Sequence, residues 1–330
     1  MTDPTKIYQK PPKTTEQHIQ QLASRGLCFN RSGKERALRY LSHIGYYRLS
    51  AYFIPFEESS QDNKRTHLFK SGTEFNHVLD LYIFDRKLRI LVMEAIERIE
   101  VSIRANWSNA LTLNKQSPHK QDAHAYMNPS LFKNPWQHQK NLSRVASDIA
   151  DSEDQSVKHY KQTYLEPFLP PTWIMVETLT FGSLSQWFAN TKSTAVKKAV
   201  TKAIGLPTIE ITESVLQSLS LVRNICAHHG RLWNRQLVKQ LPYIRKLKQY
   251  MVIEQIRTEK SEVQHQPSRK LFNFLVVINH LMNNIQPKTS WSQRLDELMA
   301  TLPQSHHHEL GIPQSWKGFV KQTAQLNTQN

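Results

Sequence analysis

Cysteine is nearly absent from the chain. Cys28 and Cys226 are the only two in 330 residues, too far apart in sequence to outline a disulfide framework, so both are read as reduced thiols. Glycine is scarce as well, at 9 residues, and the alternation expected of strands is rare. Helical periodicity recurs instead, which predicts an all-α fold. No hydrophobic run approaches the roughly 20 residues needed to cross a bilayer. The nearest candidate, Leu271 to Met282, is interrupted by Asn273, Asn279 and His280 and reads as a buried core helix. The N-terminus shows no basic-then-apolar leader, so the chain is expected to act in the cytoplasm and away from membranes. The most telling absence is local: between Glu213 and Glu254 there is no Asp or Glu.

Cations fill that gap. Arg223, His228, His229, Arg231, Arg235, Lys239, Arg245, Lys246 and Lys248 all lie within it. Imidazoles and guanidiniums without a carboxylate suit a phosphodiester better than a metal ion or a cationic substrate. The whole chain agrees, with a formal charge of +16, pI near 9.8 and mean hydropathy of -0.56. A polyanion is the natural partner of such a charge, although composition alone does not separate RNA, DNA and a membrane surface. A merely solvated basic surface is the plain alternative. The hydrophobic fraction of 39% is enough to build a core.

The pattern divides into a helical N-terminal region over 1–70, a helical domain over 71–290 and C-terminal helices or tail over 291–330. An irregular insertion rich in Asn, Gln, Ser, His and Pro is expected at about 112–135. In the first region Thr15 is a plausible cap for a helix ending near Gly26. A second helix is predicted from Lys34 to Tyr47, and the aromatic crowd from Tyr40 to Phe56 reads as core. A long helix is predicted from about Phe75 to Trp107, with Leu81, Phe84, Leu88, Leu91, Val92, Ala95, Ile99, Ile103 and Trp107 on one stripe. Its other side carries Glu97, Arg98, Glu100 and Arg104, the last two spaced as an ordinary surface pair. Helices are further predicted over 136–164, 173–189, 192–204, 239–256 and 269–285.

The densest chemistry is the string Leu221-Val-Arg-Asn-Ile-Cys-Ala-His-His-Gly230, continuing into Arg231-Leu-Trp-Asn-Arg235. Residues on an α-helix advance by about 100° each, so Asn224 and His228 share one side while Val222 and Cys226 turn inward. Arg223 lies on the flank of the same exposed arc. Gly230 is the natural terminator. The plain reading is a helix end whose histidines favour the negative pole of the dipole.

Three blocks carry a resemblance. Arg223-Asn224-x-x-x-His228 matches the Arg-x(4–6)-His motif of HEPN ribonucleases. The longer string to Arg235 is similar to AbiD/AbiF-type abortive-infection proteins of bacteria. His43-Ile-Gly-Tyr-Tyr-Arg-Leu-Ser-Ala-Tyr52, and Phe84-Asp-Arg-Lys-Leu-Arg89 with Ile96-Glu-Arg-Ile-Glu-Val-Ser-Ile-Arg104, fall in the expected order, so the likeness spans roughly residues 8 to 290. It implies a HEPN-like helical bundle, phage defence or a growth-arresting toxin, and cleavage of RNA without a metal or other cofactor. It also implies a homodimer, because the HEPN site is usually assembled from two copies of the motif and this chain shows one. HEPN antitoxins paired with nucleotidyltransferases usually carry Tyr two residues after the motif His; here that position is Gly230.

Under this reading the 2′-hydroxyl of RNA attacks the adjacent phosphorus and leaves a 2′,3′-cyclic phosphate and a 5′-hydroxyl. His228 serves as general base or acid, with His229 in reserve because the motif tolerates either spacing. Arg223 holds the non-bridging oxygens, and Asn224 orients the His or the phosphate. Arg231, Arg235, Lys197, Lys198 and Lys202 are candidates for backbone phosphate contacts. Glu97, Arg98, Glu100 and Arg104 are candidates for orienting Arg223 or His228 from the neighbouring helix. The alternatives are a module that binds RNA, including an antitoxin or regulatory RNA, without cutting it; a scaffold that only dimerises; and a zinc site from Cys226, His228, His229 and His306 to His308, whose spacings match no usual zinc pattern.

Overall fold

The computed structural model describes residues 8, 10–60, 62, 65–114, 122–257 and 263–327. Among these residues the chain forms fourteen α-helices and one two-stranded ribbon, so the fold is all-α. It divides into two compact units, residues 1–86 and 87–330.

In the first unit, α1 (Thr15–Ser24) starts at Thr14, one residue before the predicted cap. Thr14 and Gln17 exchange side chain-to-backbone hydrogen bonds in a full capping box. α2 (Arg31–Ile44) and α3 (Tyr46–Phe53) replace the single helix predicted over Lys34–Tyr47. The break is Gly45, whose φ of 85° is strained for residues with a Cβ. The aromatic crowd is only partly core: Tyr52 and Phe53 are buried, whereas Tyr47 is 92% exposed. Tyr52 donates from its hydroxyl to the buried carboxylate of Asp85.

α4 (Phe75–Thr112) begins in the first unit and passes into the second, outrunning the predicted end at Trp107. Its apolar stripe is buried as its spacing predicts, with Leu88, Val92, Ala95, Ile99, Ile103 and Trp107 at 0% exposure. The insertion predicted at 112–135 contains two short 3-10 turns, Ala125–Met127 and Pro129–Leu131. Its residues 115–121 lie outside the described residues.

The two long helices predicted next are each split by a cap. α5 (Pro135–Asp151) and α6 (Gln155–Thr163) part at Asp154, whose carboxylate accepts from Ser156 and Val157 N–H groups. α7 (Thr172–Thr178) and α8 (Phe181–Asn190) part at Thr180, which caps α8 through Ser183 N–H. α9 (Thr194–Ala203) and α10 (Ile209–Ala227) follow, and α10 packs along α8. Trp107 anchors this core: its indole N–H donates to Thr191 Oγ1 at 3.0 Å and its ring lies 6.1 Å from that of Trp187.

The predicted helix over 239–256 is absent. Pro242 removes a backbone donor there. The segment instead runs irregularly through a short turn, Arg245–Leu247, into β1 (Ile253–Arg257), which pairs antiparallel with β2 (Val263–Pro267). α11 (Leu271–Ile285) is the buried core helix expected, with every side chain from Leu271 to Met282 buried. α12 (Trp291–Ala300), α13 (His307–Leu310) and α14 (Phe319–Asn327) complete the unit, and α12 and α14 pack on α11. Trp291 fixes α12 by donating to the Leu91 carbonyl at 2.8 Å. No described helix is long and apolar enough to cross a membrane.

Candidate functional site

α10 carries the Arg-Asn-His string on its last turns. Thr208 starts the helix by accepting from Ile211 N–H. Val215, Leu219, Val222 and Cys226 form the buried stripe that their spacing predicts. Beyond Ala227 the chain reverses in a Schellman closure: His229 N–H donates to Cys226 O at 3.0 Å and Gly230 N–H to Ile225 O at 2.8 Å. The left-handed residue is His229, with φ of 56°, rather than the adjacent glycine. Left-handed backbone costs a residue with a Cβ about 1–2 kcal/mol, a strain held at the candidate site. Gly230 serves a different need, since a Cβ there would lie 3.2 Å from the Ile225 carbonyl oxygen. Leu232 and Trp233, both at 0% exposure, then tie the reversed chain into the core.

This end of α10 presents Asn224, His228 and His229 to solvent. Arg223 lies on the flank, half-buried, with a side chain 28% exposed. Its Nε is buried without a hydrogen-bond partner and lies 3.9 Å from Oε2 of Glu100. The sequence has no carboxylate near the motif, but the fold supplies one from α4.

Glu100 is itself 6% exposed, so the surface pair predicted with Arg104 is an interior one. Arg104 donates to Glu100 Oε1 at 2.6 Å, to Glu177 Oε2 at 3.1 Å and to the Leu179 carbonyl at 2.6 Å. One guanidinium thus joins α4, α7 and the loop before α8, and the carboxylate it holds reaches α10. Burial raises the Glu100 carboxyl above its ordinary value. The charges of Arg104 and Arg223 oppose that rise, whereas Glu177 and Glu97 add to it.

The other candidates from the neighbouring helix divide. Glu97 is exposed. Arg98 turns elsewhere, donating to Glu94 at 3.0 Å and Gln286 at 2.8 Å. Glu94 is also gripped by both terminal nitrogens of Arg294. Glu177 and Leu179 carry no local sequence signal, because their role comes only from the packing of α7 beside α4.

Of the phosphate-contact candidates, Arg235 is exposed and Arg231 half-buried. Arg235 Nη1 donates to the Arg231 carbonyl at 3.4 Å. Lys198 and Lys202 are exposed on α9, but α9 lies against the first turns of α10. Thr201 meets Thr212 at 3.0 Å, and Lys197 meets Glu213. From Glu213 to His228 is about 22 Å at the helical rise of 1.5 Å per residue, so the structure does not gather these lysines around the motif. Lys197 corrects the expectation outright. It is 1% exposed, and its ammonium donates to Glu213 and to the Ala189 carbonyl. Burial lowers its pKa, against the pull of Glu213. A phosphate cannot reach it.

The ligands weighed for zinc do not converge. Cys226 is buried whereas His228 and His229 are exposed. His306 and His308 lie 3.4 and 3.1 Å from Glu309 carboxylate oxygens. Among the described residues no group of three or more His, Cys, Asp or Glu could hold a metal ion.

A family model described as Abi-like protein matches residues 39–234. The chain belongs to this Abi-like family. The match is narrower than the span of 8 to 290 expected from sequence. It nevertheless contains the first two blocks and the Arg223–His228 motif, and ends one residue after the buried Trp233 and one short of Arg235. Membership points to abortive infection, a mode of phage defence. No curated protein and no solved structure matches the chain.

Three measurements test the charge assignments in this Abi-like protein. A native state that holds the Glu100 proton more tightly than the unfolded chain loses stability as pH rises from the ordinary value of 4.5 through the raised one. Thermal melts of wild type and Glu100→Gln between about pH 4 and 7 should therefore diverge in the variant's favour as pH rises; a constant difference would refute the raised value. Lys197→Ala should lower stability in urea by about 2–3 kcal/mol, the modest end for a broken buried pair, because Glu213 keeps 30% of its side chain exposed. In native protein Lys198 and Lys202 should be acetylated by a lysine reagent while Lys197 resists. Equal modification of all three would contradict the inward placement.

Proposed function

We propose that this Abi-like protein is a metal-independent endoribonuclease of phage defence. The observation that carries the reading is the end of α10. There a half-buried guanidinium, loosely tethered to Glu100 at 3.9 Å, lies on the flank of an exposed imidazole at a strained helix terminus. Arg104 takes the short bond to Glu100 and fixes the carboxylate. Arg223 keeps the weaker share of that charge through its buried Nε, which leaves the end of the guanidinium for a phosphate.

The chemistry follows from these groups. Arg223 binds the non-bridging oxygens of the scissile phosphate and offsets the charge that grows there during in-line attack. His228 removes the proton from the 2′-hydroxyl or protonates the departing 5′-oxygen. One imidazole cannot hold both protonation states at once. A homodimer in which two copies of the motif face one substrate supplies a base from one protomer and an acid from its partner. Asn224 orients the phosphate or the imidazole, and His229 contributes mainly through the backbone reversal it closes. Arg231 and Arg235 contact flanking phosphates.

The test uses purified protein and a structured RNA in excess EDTA. Cleavage should persist, leave cyclic-phosphate ends and fall at least about 100-fold in Arg223→Ala and in His228→Ala. His229→Gly should retain most of the rate, because glycine accepts the left-handed conformation. Cleavage that requires Mg²⁺, or that survives both substitutions, overturns the proposal. Binding of RNA without any cleavage supports the non-catalytic reading instead.

A further inference from the structure

Two concavities in the second unit share Gln249 as a common wall. One, of about 760 Å³, is lined by Pro207, Arg245, Lys246, Lys248 and Gln249. The other, of about 420 Å³, takes in Tyr250, Trp316, Lys317 and Lys321. Neither has an Asp or Glu in its lining. The first half is therefore lined by cationic side chains and their apolar stems, and the second pairs aromatic rings with further cations. We propose that this joined groove binds single-stranded RNA, with the backbone along Arg245 and Lys248 and a base against Trp316.

Each half supplies a different part of what a single strand needs. Arg245 and Lys248 are exposed on and beside the Arg245–Leu247 turn, where a three-residue repeat sets positions three apart on one side. They lie in the carboxylate-free stretch, so no neighbour in sequence neutralises them. Trp316 is half-buried and braced edge-on by Phe272 at 4.9 Å and Phe319 at 4.8 Å. Tyr250 adds a ring 6.4 Å away and is held by its hydroxyl on Gln325 at 3.0 Å. Lys317 and Lys321 are exposed on the same wall. Asp296, beside Gly318, is occupied by the Phe319 and Val320 N–H groups. A cationic track beside a rigid aromatic ring binds single strands through phosphate attraction and base stacking, neither of which demands a particular sequence. A duplex conceals its base faces, and an acidic peptide has none to stack.

Pro207 also places this groove relative to the motif. It lies just ahead of α10, and His228 lies just past the other end. The nineteen residues of α10 span about 28 Å. The groove is thus a second contact on the RNA, well apart from the scissile phosphate. Apart from Pro207 it lies outside residues 39–234 matched by the family model. The assignment rests on the ribonuclease reading only in naming RNA as the ligand.

Fluorescence anisotropy with a single-stranded RNA of roughly 12 nucleotides, read in EDTA on the Arg223→Ala protein, tests it without cleavage. Adding Arg245→Gln and Lys248→Gln should weaken binding about tenfold and reduce the log–log salt slope by roughly 1.4, or about 0.7 for each phosphate that is no longer neutralised. Arg245→Lys with Lys248→Arg should restore both. Trp316→Leu should erase the preference for the single strand over a duplex of equal length. Unchanged affinity and slope in the double Gln variant overturn the proposal. So does a polyglutamate chain that binds as tightly as the RNA. A protein that never cleaves but loses binding in the Gln variant keeps the groove and loses the nuclease. One that cleaves with binding unchanged does the reverse.

Discussion

A carboxylate buried between two guanidiniums organises the candidate site. Withdrawing Glu100 from water is costly, and removing a partner from such a pair typically costs about 3–5 kcal/mol because an uncompensated charge stays behind. Arg104 offsets part of the burial through a 2.6 Å contact while also binding Glu177 and the Leu179 carbonyl. The position of Arg223 follows from that arrangement. It approaches a carboxylate whose better oxygen is already taken, and at 3.9 Å it is steered rather than locked. A guanidinium placed this way has a defined position and unspent donors, which is what an oxyanion needs from it.

The same motif was partly legible in sequence, and the reasons for the partial success are physical. The inward stripe Val215, Leu219, Val222 and Cys226 is set by helical periodicity, which any reader of spacing recovers. The exposure of Asn224 and His228 follows from the same geometry. Helical spacing within the motif does not reach the carboxylate, which the family resemblance offers only as one of several candidates on the neighbouring helix. Glu100 lies over a hundred residues earlier, and the fold selects it over Glu97 by bringing it within 3.9 Å of Arg223. Glu177 was invisible for the same reason. The left-handed turn fell to His229 because Gly230 is held by its close approach to the Ile225 carbonyl, which composition does not reveal.

The errors elsewhere share a cause. Lys197 looked like one more exposed cation on a basic amphipathic helix, yet it occupies the face that α9 turns toward α8 and α10. Periodicity identifies the apolar face of a helix but cannot detect a charge with an acid waiting inside, here Glu213. Long helical patterns over 136–164 and 173–189 concealed the internal caps Asp154 and Thr180, each of which starts a new helix by satisfying N–H groups. At 239–256, Pro242 and the β-branched residues near Ile253 outweighed a helical count.

The Schellman closure after α10 is clamped from both sides. Cys226 is buried ahead of it, and Leu232 and Trp233 are buried behind it. A single inserted residue within this span would rotate the imidazole by about 100° or pull the indole from its seat. Lengthening or shortening the chain between Cys226 and Trp233 would therefore displace one anchor or the other, whereas the exposed side chains between them can be exchanged at constant length.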